Sequence, residues 1–252
     1  MKRLKALLRL ICPPILLNIG IWLKVKMAGL TRLDPQSKYS GLENLDQKIE
    51  RHLDFDNGYF VEIGGWDGVT YSNTIYFEKY RNWRGVLIEP SPINFLKCRE
   101  NRPLAKVYCY ACVPFGYSKD MIRMRYCASM TTAHSEENAR NQIEKIDAHV
   151  ESGIKFLSGS EIVFDFGAIA KPLSNVLNEA AVVRPIDLLV LDVEGFELAV
   201  LEGIDFDRHA PKFICVEAWD FGEIKDYLTH KNYIVVEQLS HHDYLFRRSA
   251  AN

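Results

Sequence analysis

The chain reads as an α/β fold: a mostly parallel sheet with helices between its strands, finished by a C-terminal antiparallel hairpin. Three observations predict this. Short apolar strands stand at 59–63, 85–89 and 186–193, each bounded by turn residues or proline. Segments of helical character separate them, and strands alternating with helices imply βαβ units and a parallel sheet. At the end, 234–237 and 244–247 can pair as a hairpin.

The elements follow in order. Residues 1–29 stand apart in composition: Lys2, Arg3, Lys5 and Arg9 precede a mostly apolar stretch from 10 to 23, and Lys24 and Lys26 follow it. No convincing small-residue cleavage site comes after the apolar run. Pro13-Pro14 and Asn18 interrupt it, and it falls short of the roughly 20 apolar residues of a spanning helix. Two readings stay open: an anchor at an anionic membrane surface, or a helix docked on the domain's own core. Residues 30–54 form a linker, with Pro35, Ser37, Ser40 and Gly41, and then a helix at 43–53 from the spacing of Leu45, Ile49 and Leu53.

The main domain occupies 55–252. Asp56-Asn57-Gly58 is a turn. Strand 59–63, a glycine-containing loop at 64–68, a helix at 73–80, strand 85–89 and a helix at 92–99 come next, with a third strand over 106–113. From 114 to 171 the alternation lapses: strands are expected at 121–126 and 162–166, with a polar helix at 135–151. A helix at 172–180, strands at 186–193 and 213–217 and a helix at 224–229 lead into the hairpin.

Composition narrows the function. A chain of 252 residues with 48% hydrophobic and 25% charged residues is globular. A net charge of -2 provides no basic field for nucleic acid, so none is expected as a partner. Of six cysteines, Cys109 and Cys112 form a C-x-x-C, but no second pair completes a zinc site. An offset of three along one strand would put the two thiols on opposite faces. Buried thiols in a reducing cytosol are the simpler reading, and the expected location is cytoplasmic, at the membrane face if residues 1–29 are an anchor.

Three constellations carry chemistry. Glu62-Ile63-Gly64-Gly65-Trp66-Asp67-Gly68 follows a strand and precedes a helix; glycines there let the backbone turn sharply and approach a ligand. A dinucleotide fingerprint needs glycines at 64, 66 and 69, and Trp66 and Val69 stand instead, which disfavours a nicotinamide or flavin cofactor. Glu89 ends the second strand, where an acidic side chain accepts hydrogen bonds from ribose hydroxyls in nucleotide folds. Asp187 to Glu197 then delivers Asp192, Glu194 and Glu197 around Gly195 at the carboxyl end of an apolar strand, the ligand edge of an open parallel sheet. Glu194 and Glu197 could equally cap the following helix.

These three stretches together resemble the FkbM-type methyltransferases. The similarity runs through 60–73, 83–92 and 186–197, with 213–217 also fitting, and covers about 55–248. Gly65-Trp66 departs from the pattern, which usually has a small residue followed by a polar one. The resemblance implies a Rossmann-like methyltransferase fold, S-adenosylmethionine as cofactor, and methylation of a hydroxyl on a sugar, glycan or natural product. It implies cofactor contacts from Glu62, Gly64, Gly65, Asp67, Gly68 and Asn73, from Glu89, Pro90 and Ala111, and from Asp192. Acceptor specificity is expected in 114–171.

Asp192 and Glu194 are the candidate bases for an acceptor hydroxyl, with His134 a further one. His241 and His242 fall in the hairpin turn. Oxygen ligands at Asp192, Glu194 and Glu197 would suit Mg²⁺ or Ca²⁺, but nothing in the spacing demands a metal and none is assigned. The competing readings are a membrane-tethered scaffold without activity and a nicotinamide oxidoreductase on the same fold.

Overall fold

A computed structural model describes residues 38–133, 147–157, 159 and 161–249. The predicted N-terminal segment 1–29, the candidate base His134 and most of the predicted polar helix lie outside the described residues.

The sheet alternates with helices as the apolar pattern requires. A short helix α1 (Leu45–Glu50) is followed by β1 (Tyr59–Ile63), α2 (Ile75–Tyr80), β2 (Arg84–Ile88), α3 (Pro92–Asn101) and β3 (Lys106–Tyr108). After an insertion come α4 (Leu173–Glu179), β8 (Leu188–Leu191), α5 (Glu197–Leu201), α6 (Phe206–His209), β9 (Phe213–Glu217), α7 (Phe221–His230), β10 (Tyr233–Gln238) and β11 (Asp243–Arg248). The seven strands lie in the order β10-β11-β9-β8-β1-β2-β3. From β9 to β3 all neighbours are parallel, and β11 runs antiparallel to both β9 and β10. The order reverses at β1, whose neighbours β2 and β8 come from opposite directions of the chain. Such a switch point opens a crevice at the carboxyl ends of the strands.

Period-two alternation sends the strand side chains into two cores. Val61, Ile63, Leu189, Leu191, Ile214 and Val216 meet α4, α5 and α7 on one face. Phe60, Leu87, Leu188, Val190 and Cys215 meet α1 and α2 on the other. Asp187, buried ahead of β8, accepts from the Tyr59 amide at 2.8 Å and from Lys212 Nζ at 2.7 Å, which sets the register of the two central strands. Ser91 caps α3, with Pro92 in its first turn.

The insertion builds a second sheet. β4 (Ala111–Cys112), β5 (Met121–Tyr126), β6 (Thr132–Ala133) and β7 (Phe164–Lys171) stand in the order β4-β7-β5-β6. Their inward residues, Ala111, Val113, Ile122, Met124, Ala133 and Ala168, pack together with Phe196. The Thr132 hydroxyl donates to the Glu194 carbonyl at 2.8 Å, so this sheet is pinned over the carboxyl end of β8.

Three expectations are corrected. The single strand over 106–113 is two: β3 pairs with β2 in the large sheet, and β4 pairs with β7 in the small one. The chain changes sheets at Cys109–Tyr110, so the argument from one continuous strand does not apply to the two cysteines; both thiols are free. The strand expected at 162–166 begins at Phe164 and continues to Lys171, because β5 pairs with it from Phe164 to Ile169 and β4 with Ala170 and Lys171. The strand expected at 186–193 is confined to Leu188–Leu191, although the Asp187 and Asp192 amides on either side still donate to the Tyr59 and Ile63 carbonyls of β1. Of the predicted polar helix at 135–151, the described residues 147–151 are helical, and the helix runs on to 153.

Candidate functional site

Two adjoining cavities open at the switch point. The first is lined by Gly64, Trp66, Glu89, Pro90, Ala111 and Asp192, under a roof of Met124, Ser129 and Thr131 from the insertion. The second, about 1090 Å³ with the space open to solvent included, is lined by Gly64, Gly65, Trp66, Asn73, Asp192, Glu194, Glu217 and Asp243. Gly64, Trp66 and Asp192 belong to both walls.

The loop after β1 has the shape the first cavity needs. Gly64 has φ +88°, and a Cβ there would stand 1.7 Å from the Asp192 carbonyl oxygen. Only glycine lets β1 and β8 approach this closely. Asp67 closes the loop on itself, accepting from the amides of Val69 (2.8 Å) and Thr70 (2.7 Å). Neither Asp67 nor Gly68 lines either cavity. Glu62 borders the second cavity, but its carboxylate is engaged by the Ser72 hydroxyl, the Asn73 amide, the Thr74 hydroxyl and the buried guanidinium of Arg102. It holds the loop rather than facing open space.

Glu89 sits at the end of β2, 4% exposed. Its Oε2 accepts from the Trp66 amide at 3.0 Å and its Oε1 from the Ser91 amide at 2.9 Å. Each oxygen keeps a lone pair for a further donor. Burial pushes its carboxyl up to about 7, against the pull of those two amides. The indole N–H of Trp66 is buried without a hydrogen-bond partner, a donor left over in the shared wall.

The second cavity is acidic. Asp192, Glu194 and Glu217 bring carboxylate oxygens within 4.8 Å of one another, and Asp243 stands opposite Glu217 in the β11–β9 pairing. Asp192 is open to the cavity but ringed by protein, so desolvation and then the charges of Glu217 and Asp243 hold its carboxyl well above the usual range. Glu194 and Glu217 are raised for the same reasons. Glu194 occupies a left-handed conformation, φ +57°; a non-glycine residue held there at a site edge is a form of stored strain. Glu197 turns away from this group and accepts from the Gly195 amide at 2.9 Å and the Val193 amide at 3.3 Å. Glu197 thus closes the turn ahead of α5, whose N-cap Phe196 has no side-chain cap, and the third carboxylate with metal-ligand spacing is Glu217 instead.

Four residues of this site have no role in the reading of the sequence: Glu217, Asp243, His149 and Trp219. Glu217 was within reach, because it ends the apolar strand next to β8 as Asp192 ends β8 itself. Asp243 comes from an antiparallel strand, and His149 from the insertion, where it lies 3.3 Å from Glu194. No local pattern marks either. His241 and His242 are exposed at the hairpin turn, as expected.

A family model described as the methyltransferase FkbM domain matches residues 62–235. The chain belongs to the FkbM methyltransferase family. Methyltransferase 1 of Beauveria bassiana (strain ARSEF 2860) is 26% identical over 192 residues, covering 71% of this chain and 74% of that protein. Among solved structures, a methyltransferase from Geobacter sulfurreducens is 15% identical with a TM-score of 0.40, covering 99% and 97% of the two chains. The N-terminal domain of human METTL16 in complex with SAH is 14% identical with a TM-score of 0.38, covering 85% of this chain and 71% of that one.

The chain is thus an S-adenosylmethionine-dependent methyltransferase with a Rossmann-like fold, which displaces the nicotinamide reading. The first cavity fits the cofactor on its own chemistry: a glycine-lined approach at Gly64, a carboxylate with spare lone pairs at Glu89 and a small side chain at Ala111.

Proposed function

We propose that this FkbM-family methyltransferase is O-directed and acts on a hydroxyl of a sugar, glycan or natural-product acceptor. The observation that carries the reading is the position of the carboxylates: Asp192, Glu194 and Glu217 line the cavity that adjoins the cofactor cavity, and Asp192 lines both. Bound S-adenosylmethionine supplies a methyl group already activated on sulfonium sulfur. The protein's work is then to align an acceptor oxygen with it, which can contribute several kcal/mol, and to receive the hydroxyl proton.

A carboxylate-lined pocket suits a polyhydroxylated acceptor, since every carboxylate oxygen is an acceptor for O–H groups. Asp192 and Glu194 are assigned the acceptor side. Glu89, Pro90 and Ala111 are assigned the nucleoside side of the cofactor, and Gly64, Gly65 and Asn73 the part nearer the methyl group. The insertion roofs both cavities and is assigned acceptor selection.

The test is a labelled-methyl transfer assay against matched acceptor panels offering hydroxyl, amine or carbon nucleophiles, with product sites located by mass spectrometry. Label on oxygen supports the reading. Label on nitrogen or carbon alone overturns the O-directed assignment, and no product from any panel with cofactor bound favours the scaffold reading.

No helix among the described residues is long and apolar enough to cross a membrane. The basic and apolar composition of residues 1–29 supports attachment to an anionic lipid surface. Their deletion should release the protein from acidic vesicles; a deletion variant that stays bound removes the anchor.

A further inference from the structure

The acidic group at the ends of β8 and β9 has more acceptors than the protein's own donors answer. Asp192, Glu194 and Glu217 come from adjacent strand ends, with oxygens within 4.8 Å of one another. Glu217 Oε2 is buried without a hydrogen-bond partner. Like charges this close are costly without a cation or donors between them.

An independent observation comes from the insertion. The side chain of His149 is only 9% exposed, and its Nε2 stands 3.3 Å from Glu194 Oε2. That nitrogen makes no hydrogen bond. A proton on Nδ1, bonded to the Met130 backbone, would leave the Nε2 lone pair facing Glu194. The Trp219 ring packs against the imidazole with centroids 4.8 Å apart and holds its orientation. An imidazole fixed through one nitrogen by a carbonyl, with the other nitrogen free, is the arrangement seen in metal-ligating histidines.

We propose that Asp192, Glu194 and Glu217 form a binding site for one divalent metal cation, with His149, 3.3 Å from Glu194, moving in as a fourth ligand when the cation binds. Three carboxylates and one imidazole make a mixed oxygen and nitrogen set. Carboxylates suit Mn²⁺ and Mg²⁺, and an imidazole shifts the preference toward Mn²⁺ and its transition-metal neighbours. Cysteine does not contribute, so a soft-metal site is excluded. The cation would lie on the wall of the second cavity, where an acceptor hydroxyl can complete its coordination; this last point alone rests on the O-directed reading above.

The experiment uses the full chain, stripped with EDTA and titrated with Mn²⁺ while free Mn²⁺ is read by electron paramagnetic resonance. The expected result is one Mn²⁺ bound per chain, with affinity weakened about 10-fold to 100-fold in His149→Ala and at least as much in Glu217→Gln. Asp165→Asn, an acidic change outside the cluster, should bind as the wild type does. Thermal melts in EDTA check that each variant is folded; if Glu217→Gln is not, His149→Ala decides. Absence of binding by folded wild-type protein at about 1 mM, the weak limit of physiological sites, overturns the proposal, as does binding that both variants retain. Methyl transfer in parallel separates the two readings. Mn²⁺ bound without any oxygen-methylated product counts for the metal site and against the O-directed function. Product formed equally well in EDTA by a protein that binds no Mn²⁺ counts the other way.

Discussion

The two sheets of this molecule hold their strands by different means. Every residue of β1 and β8 is buried, because helices cover both faces of the parallel sheet. β5 of the small sheet alternates: Ile122, Met124 and Tyr126 face inward, while Met121 and Arg123 are exposed. On its outer side Arg123 and Arg125 both pair with Asp165 of β7. A strand covered twice is defined by its apolar run, whereas a strand covered once depends on its partners across the sheet. The site lies between the two, with rigid carboxylates below and the insertion above.

Glycine substitutions should show the widest gap. Gly64→Ala puts a methyl group into the backbone of Asp192 at a positive φ and should cost more than about 4 kcal/mol. Gly167→Ala in β7 meets only the flexible end of Met121 and should stay within about 1 kcal/mol. Denaturant titration of both variants compares them directly, and equal losses would erase the distinction between the sheets.

Cavities in the two cores come next. Leu189→Ala and Ile122→Ala each remove a fully buried side chain, at about 2–5 kcal/mol. The distribution should differ. Amide exchange in Leu189→Ala should quicken throughout. In Ile122→Ala it should quicken in 121–126 and 164–171 and leave β1 and β8 protected. Uniform quickening in both would mean that the insertion and the parallel sheet unfold as one unit.

Glu89 lies where the two regions meet. Replacing it by Ala should weaken S-adenosylmethionine binding by about 1–3 kcal/mol, read by calorimetry. Its carboxyl is raised from 4.5 to about 7 by burial. A raised acid contributes stability below its unfolded pKa and loses it as pH rises through the folded one. Wild type should therefore lose about 3 kcal/mol relative to Glu89→Gln between pH 4.5 and pH 8. A constant difference across that window would show that Glu89 ionises normally.

The smallest effect belongs to the outer face of the insertion. Arg125 and Arg123 hold the Asp165 carboxyl down at about 2. This acid contributes stability above its ordinary pKa of 3.8 and loses it as pH falls through about 2. Because the group is partly exposed, Asp165→Asn should cost less than about 1 kcal/mol at pH 7. The difference should vanish near pH 2. A larger cost would make the outer face as important to the small sheet as its core.

The same contrast explains what could be read along the chain. β1, β2, β8 and β9 are apolar runs next to turn residues, and each was legible to within a residue or two. β5 was legible because it alternates. The break between β3 and β4 was not: Val107 to Val113 continues to look like one strand, and only the pull of β7 on Ala111 and Cys112 moves the chain to another sheet. The extension of β7 to Lys171 depends on β5 as far as Ile169 and on β4 for Ala170 and Lys171. At the site, Gly64, Glu89, Asp192 and Glu194 were legible from their places at strand ends. Glu217 carried the same signal more weakly. Asp243 and His149 carried none, since an antiparallel return and an insertion bring them in from remote positions.

By itself the sequence determined the alternating architecture, the glycine turn after β1 and the acidic strand ends, because these follow from local periodicity and from residues tied to special backbone geometry. Only the tertiary structure decided which carboxylates meet. Glu197 spends its Oε1 on the backbone amides of its own turn, while Glu217, 25 positions beyond Asp192, joins the cluster because β9 lies beside β8. Spacing along the chain cannot report that choice, since it depends on which strands are neighbours and where each carboxylate finds its donors.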